Sequence, residues 1–243
     1  MSGLRYAVGL LTRIPVAGTL DDAARSRSLP WYPVVGAGVG LVTGIAAYGT
    51  AYVLPDLTAG FVAVAVAAIT TGALHLDGLA DLFDGFVGGR DREDRLRIMR
   101  DPRLGTFGAA AVFVALAVHA SLLAAIASQL LVVAAAAAAG AVSRAVTAVV
   151  LGTTPSAAAG LGASHAGAAT RFGIVVAGGA GVGAAVGLGG GGVAGLAVGA
   201  VAAAVVVRWA RRMIGGITGD VLGAVQVVSE LGFLAGVVGM SRW

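Results

Sequence analysis

The sequence predicts an all-α fold: a polytopic integral membrane helical bundle of about seven transmembrane helices, with the N-terminus cytoplasmic. Composition is the first reason. Of 243 residues 58% are hydrophobic and 12% charged, and the mean hydropathy is +0.94, too little polarity to cover a soluble globule of this size. Segmentation is the second: apolar stretches near the ~20 residues that cross a bilayer run from about 32 to 54, 57 to 76, 106 to 127, 130 to 151, 172 to 189, 192 to 207 and 220 to 240. Arginine placement is the third, because positive charge is retained on the cytoplasmic side. Seven spans put Arg5, Arg13, Arg25, Arg27, the six arginines from Arg90 to Arg103, Arg171, Arg208, Arg211 and Arg212 inside. Only Arg242 falls outside, and Arg144 lies within a span near its inner end.

The elements follow in order. The first sixteen residues carry a short apolar run, Tyr6 to Leu11, closed at once by Arg13, which suits an interfacial helix better than a cleaved signal. The outer connections near Pro55-Asp56, Ser128-Gln129 and Gly189 to Gly192 are short and uncharged by arginine, so every sizeable loop faces inward. Between Gly179 and Gly199 glycine recurs at every fourth position, a small-residue surface for close helix packing in lipid rather than a nucleotide loop. No shift in composition marks a boundary, and residues 1–243 read as one membrane-embedded domain with a cytoplasmic catalytic loop at about 77–105. The chain has no cysteine, which excludes disulfides and thiolate chemistry, and no nucleic-acid-binding module. Its net charge of +4 suits the anionic headgroups of a lipid bilayer, and a homo-oligomer stays possible.

Seven of the twelve acidic residues lie in the loop between the second and third spans. Asp77, Asp81 and Asp84 fall within roughly 60° on one helix face, with Leu79, Leu82, Phe83 and Phe86 opposite. Such a face is either a solvated acidic side or, because crowded carboxylates repel unless a cation sits among them, a ligand set for a divalent metal, Mg²⁺. Asp91 with Arg95 and Glu93 with Arg97 suit ion pairs on a short surface helix, Arg90 to Arg100. After it, Asp101-Pro-Arg-Leu-Gly-Thr-Phe-Gly108 opens a helix: Gly105 backbone and Thr106 as cap can receive an anion, and Arg100 or Arg103 can clamp a phosphate.

Near the C-terminus, Thr218 and Asp220 stand after Gly215 and Gly216, where a helix cap or a metal ligand belongs. Glu230 lies about 15 Å further into the last span, where a carboxylate needs a polar partner; Gln226 shares its face and Arg144 is the candidate counter-ion, for structure or for substrate. His75 precedes the acidic face but points about 160° from Asp77, toward a neighbouring span. His119 sits in an apolar span, and His165 in a cytoplasmic loop within reach of substrate.

The blocks HLDGLADLFDG (75–85), RIMRDPRLGTFG (97–108) and GGITGDVLGA (215–224) resemble, in order and spacing, the cobalamin synthase (adenosylcobinamide-GDP ribazoletransferase) family. Thr12-Arg13-Ile14-Pro15 and Tyr32-Pro33-Val34-Val35-Gly36 resemble its first blocks; Pro102 stands where that family carries serine, and Ala157 to Ala159 where it carries an arginine. The resemblance implies a Mg²⁺-dependent membrane transferase joining adenosylcobinamide-GDP to α-ribazole or its 5′-phosphate, with release of GMP. Catalysis would then rest on Asp77, Asp81, Asp84 and Asp101, the first three holding metal. Substrate would meet His75, Arg100, Arg103, Gly105, Thr106, Asp220 and Glu230. Two alternatives remain: a CDP-alcohol phosphotransferase-like enzyme, whose D-G-x-x-A-R pattern lacks its arginine here, and a transporter using Glu230 and Arg144.

Overall fold

The computed structural model describes residues 2–16, 21–127, 129–158 and 169–241. Among these there are eleven α-helices, and the β pairing is a single bridge between Ser156 and Ile217. In chain order they are α1 (Ser2–Leu11), α2 (Asp22–Ser26), α3 (Tyr32–Thr50), α4 (Asp56–Thr71), α5 (Leu74–Gly88), α6 (Arg92–Ile98), α7 (Thr106–Ala124), α8 (Leu131–Thr153), α9 (Arg171–Val186), α10 (Gly189–Ile214) and α11 (Gly219–Ser241).

Five of them, α3 with its preceding turn, α7, α8, α10 and α11, are long and apolar enough to cross a membrane, and the pair α4 and α5, broken by a sharp bend, passes the same test only when taken together. Helix α9 has only 16 residues: Gly173 faces Leu29 and Pro30, and Ala185 belongs to the same buried apolar cluster as Phe233 and Val237. Outward faces are apolar, with Ile69 75% and Phe113 73% exposed, as a polytopic membrane bundle requires.

Small residues set the packing. A Cβ on Gly36 of α3 would stand 2.1 Å from the Gly140 carbonyl oxygen of α8, so these helices touch backbone to backbone. The glycine ladder expected from Gly179 to Gly199 splits: Gly195 and Gly199 press α10 against α11, but Gly179 and Gly183 face open space. The packed stripe of α9 is instead Gly173, Ala177, Gly181 and Ala185, where alanine serves as well as glycine.

The expected second span, 57 to 76, is shorter than the hydropathy suggests. Gly72 (φ 62) and Ala73 (φ 57) are both left-handed, and the chain turns 93° between α4 and α5. Helix α5 therefore lies along the arginine-rich end of the bundle instead of crossing it. Its Gly78 packs on Asp220 at the start of α11, and Phe83 and Phe86 meet the Trp209 ring of α10 edge-on, with centroids 5.7 and 4.9 Å apart.

Candidate functional site

Helix α5 presents Asp77 and Asp81 away from its apolar side, and the turn before α11 brings Asp220 beside them. Thr218 caps α11, its hydroxyl accepting the Val221 N–H at 3.3 Å and donating to the Asp220 carboxylate at 3.2 Å. Gly78 lets the two elements close: a Cβ there would lie 2.9 Å from the Asp220 Cα. Asp77 and Asp220 both line a cavity of about 190 Å³, with His75, Tyr32 and Thr147 among its other walls. Partial burial, reinforced by the Asp220, Asp77 and Asp84 carboxylates, pushes the Asp81 carboxyl up to about 7. Arg100 is near enough to act on Asp220 electrostatically. Residues some 140 positions apart thus form one crowded acidic group. Tyr32 and Thr147 were not legible in the sequence as site residues, being ordinary members of apolar spans.

Asp84 faces elsewhere. Its two oxygens accept the Gly105 N–H at 2.7 Å and the Gly108 N–H at 2.8 Å, making it a cap for α7 supplied from another helix. This corrects three expectations. Gly105 is the cap position, Thr106 makes no capping bond, and the N–H groups expected to receive a phosphate already hold a carboxylate. Asp84 is buried there, its carboxylate bonded to the start of α7. Asp84→Asn keeps the shape but offers one acceptor oxygen for two donors; it should cost about 2 kcal/mol, as expected of hydrogen bonds to a charged group. Thermal unfolding in detergent measures this. Wild-type melting together with a much increased Mg²⁺ requirement would return Asp84 to the metal.

The acidic loop is also arranged differently from the expected i,i+4 pairs. Asp91 is the N-cap of α6, accepting from the Asp94 N–H at 2.9 Å, and Arg97 pairs with Asp94 at 2.5 Å, because the helix begins only at Arg92. Arg92 donates from Nε to the Ile214 carbonyl at 2.9 Å and from Nη2 to the Ala157 carbonyl at 2.7 Å, tying the loop to the segment that leads to Asp220. No local spacing could reveal those partners, which lie 122 and 65 residues away. Asp101 pairs with Arg103 at 2.7 Å, and that guanidinium holds its carboxyl down at about 2. So low a value makes it a weak proton acceptor at neutral pH and suits it to orienting Arg103.

Glu230 is apart from this group, deep in the bundle. Arg144 donates to it at 2.6 Å, Ser143 bonds both, and Gln226 donates to the same carboxylate oxygen. His75 and His119 line the same space, whose volume is only about 50 Å³. The expected counter-ion is therefore present, and Glu230 belongs to a buried polar lock. His75 lies between this lock and the acidic cavity, lining both. His165 falls outside the described residues.

No group of three His, Cys, Asp or Glu side chains among the described residues converges as a ready-made metal cage. Mg²⁺ needs none, since it keeps several waters and is held through one or two carboxylates plus substrate phosphates. Asp77, Asp81 and Asp220, close enough to repel one another, fit that mode of binding.

The chain is 42% identical to the adenosylcobinamide-GDP ribazoletransferase of Ralstonia nicotianae, over 94% of this chain and 91% of the relative. It is 38% identical to the protein of the same name from Azorhizobium caulinodans, over 97% and 95%. The corresponding protein of Chlorobaculum parvum is also 38% identical, over 95% and 92%. No solved structure matches. The family model described as cobalamin-5-phosphate synthase matches residues 3–238, from α1 to the last turns of α11 and so through every element that builds the acidic group, and the chain belongs to that family.

Proposed function

We propose that this chain is the transferase that joins adenosylcobinamide-GDP to α-ribazole, or to α-ribazole 5′-phosphate, releasing GMP and forming adenosylcobalamin or its 5′-phosphate. It works in a prokaryotic plasma membrane with the arginine-rich end and the active site facing the cytoplasm. The observation that carries this reading is the meeting of the Asp77, Asp81 and Asp220 carboxylates where α5 packs on the start of α11, with Asp77 and Asp220 lining one cavity.

The reaction requires a ribose hydroxyl to attack a phosphoanhydride phosphorus while the departing GMP gains negative charge. Bound Mg²⁺ would supply charge neutralisation across the diphosphate oxygens as the leaving group departs. Two of the three carboxylates suffice to hold it, leaving the third to take the hydroxyl proton. Arg100, which acts electrostatically on Asp220, would bind a diphosphate oxygen, and Arg103, paired with Asp101, would be a second contact. Asp84 and Arg92 keep α5, α7 and the Asp220 segment in place.

Purified protein in lipid vesicles, given adenosylcobinamide-GDP and α-ribazole, should release GMP only with Mg²⁺ present. A parallel reaction with the 5′-phosphate identifies the preferred acceptor. Folded protein that releases no GMP with either acceptor would contradict the proposal.

A further inference from the structure

Between α8, α9 and α10 the bundle leaves a cleft of about 670 Å³, on the opposite side of α8 from the acidic cavity: Val146 and Val150 line the cleft, Thr147 and Leu151 the cavity. One stripe of α10 forms a wall of it. Ala200, Ala203, Ala204 and Val207 make the inner part; the same stripe then continues, at the same three- and four-residue spacing, as Arg208, Arg211 and Arg212. The wall thus changes from apolar to cationic along ~18 Å of helix, at 1.5 Å per residue. Gly178 and Gly181 of α9 recess another wall, and the Thr153 and Thr154 ends of α8 reach the cleft. Among the described residues, none of the three arginines makes an ion pair.

A positive-inside bias alone would distribute arginines around the helix. Three guanidiniums on the one stripe that floors an apolar cleft have a more specific complement, an anion attached to a hydrocarbon chain. We propose that the cleft binds one anionic phospholipid, with its phosphate on Arg208, Arg211 and Arg212 and an acyl chain along Ala200 to Val207. Guanidinium groups hold phosphate oxygens in bidentate fashion. The cationic head of a zwitterionic lipid would bring a positive charge beside three others, which selects for phosphatidylglycerol over phosphatidylcholine. A free phosphate ion would leave the apolar wall uncovered.

The test reconstitutes the full chain in phosphatidylcholine vesicles that contain a small fraction of phosphatidylglycerol with a photoreactive acyl chain. After illumination, label should map to the cleft-lining residues of α8, α9 and α10, and photoreactive phosphatidylcholine at the same fraction should label them about tenfold less, as charge-assisted phosphate contacts imply. Arg208→Gln with Arg211→Gln should remove the preference, and Ala204→Trp should remove the label with all arginines intact. Equal labelling by the two lipids would overturn the proposal. So would label that disappears with the arginines yet survives Ala204→Trp, the behaviour of a surface cationic patch. If either variant fails to fold, the wild-type map decides: label outside the cleft contradicts the proposal.

Discussion

Asp77→Asn and Asp81→Asn should each lower Mg²⁺-dependent GMP release by more than about a hundredfold, about 3 kcal/mol of transition-state stabilisation, with the amount of folded protein in the membrane unchanged. Both substitutions keep side-chain size and remove charge. Neither carboxylate has a structural task comparable to that of Asp84: Asp77 is exposed, and Asp81 gains from burial only repulsion by its neighbours. Asn at Asp81 should even relieve that repulsion and leave melting equal or slightly higher. Activity within a few-fold of wild type in both variants would remove the carboxylate group from the chemistry.

Arg144 and Glu230 should behave in the opposite way. Removing one partner strands a buried charge, and Arg144→Met or Glu230→Gln alone should cost about 3–5 kcal/mol. The yield in the membrane and the melting temperature should fall together. Arg144→Met combined with Glu230→Leu should recover much of the loss, because replacing a buried pair by apolar side chains removes both desolvation penalties. Thermal unfolding of the two single variants and the double variant forms the cycle. Additive losses would show that the 2.6 Å contact does not act as a pair.

The fold class was legible because hydropathy and arginine placement are global signals that individual residues cannot overturn. The face of Asp77 and Asp81 was legible because helical spacing is local. Asp220 was found by a weaker cue, an acid after glycines at a helix end on the same membrane boundary. The partners of Asp84 were hidden for a physical reason: they are backbone N–H groups 21 and 24 residues further on, which leave no mark in side-chain identity, so three aspartates spaced by four and three residues looked equivalent. The bend before α5 was hidden in a similar way. Gly72 permits a left-handed turn, but Ala73 in the same conformation gives no sequence sign, and an apolar stretch read as continuous. The clamp of Arg92 on two distant carbonyls shows the same limit, since helical periodicity carries no information on contacts between elements.

Whether Asp220 and the α5 aspartates form one metal–diphosphate site is decided by the Mg²⁺ dependence of GMP release by wild type and Asp220→Asn. With a shared site, the Mg²⁺ concentration for half-maximal rate should rise about tenfold or more in the variant, about 1.4 kcal/mol, with melting close to wild type because Thr218 retains the cap of α11. Superimposable Mg²⁺ curves, with any loss confined to stability, would contradict it.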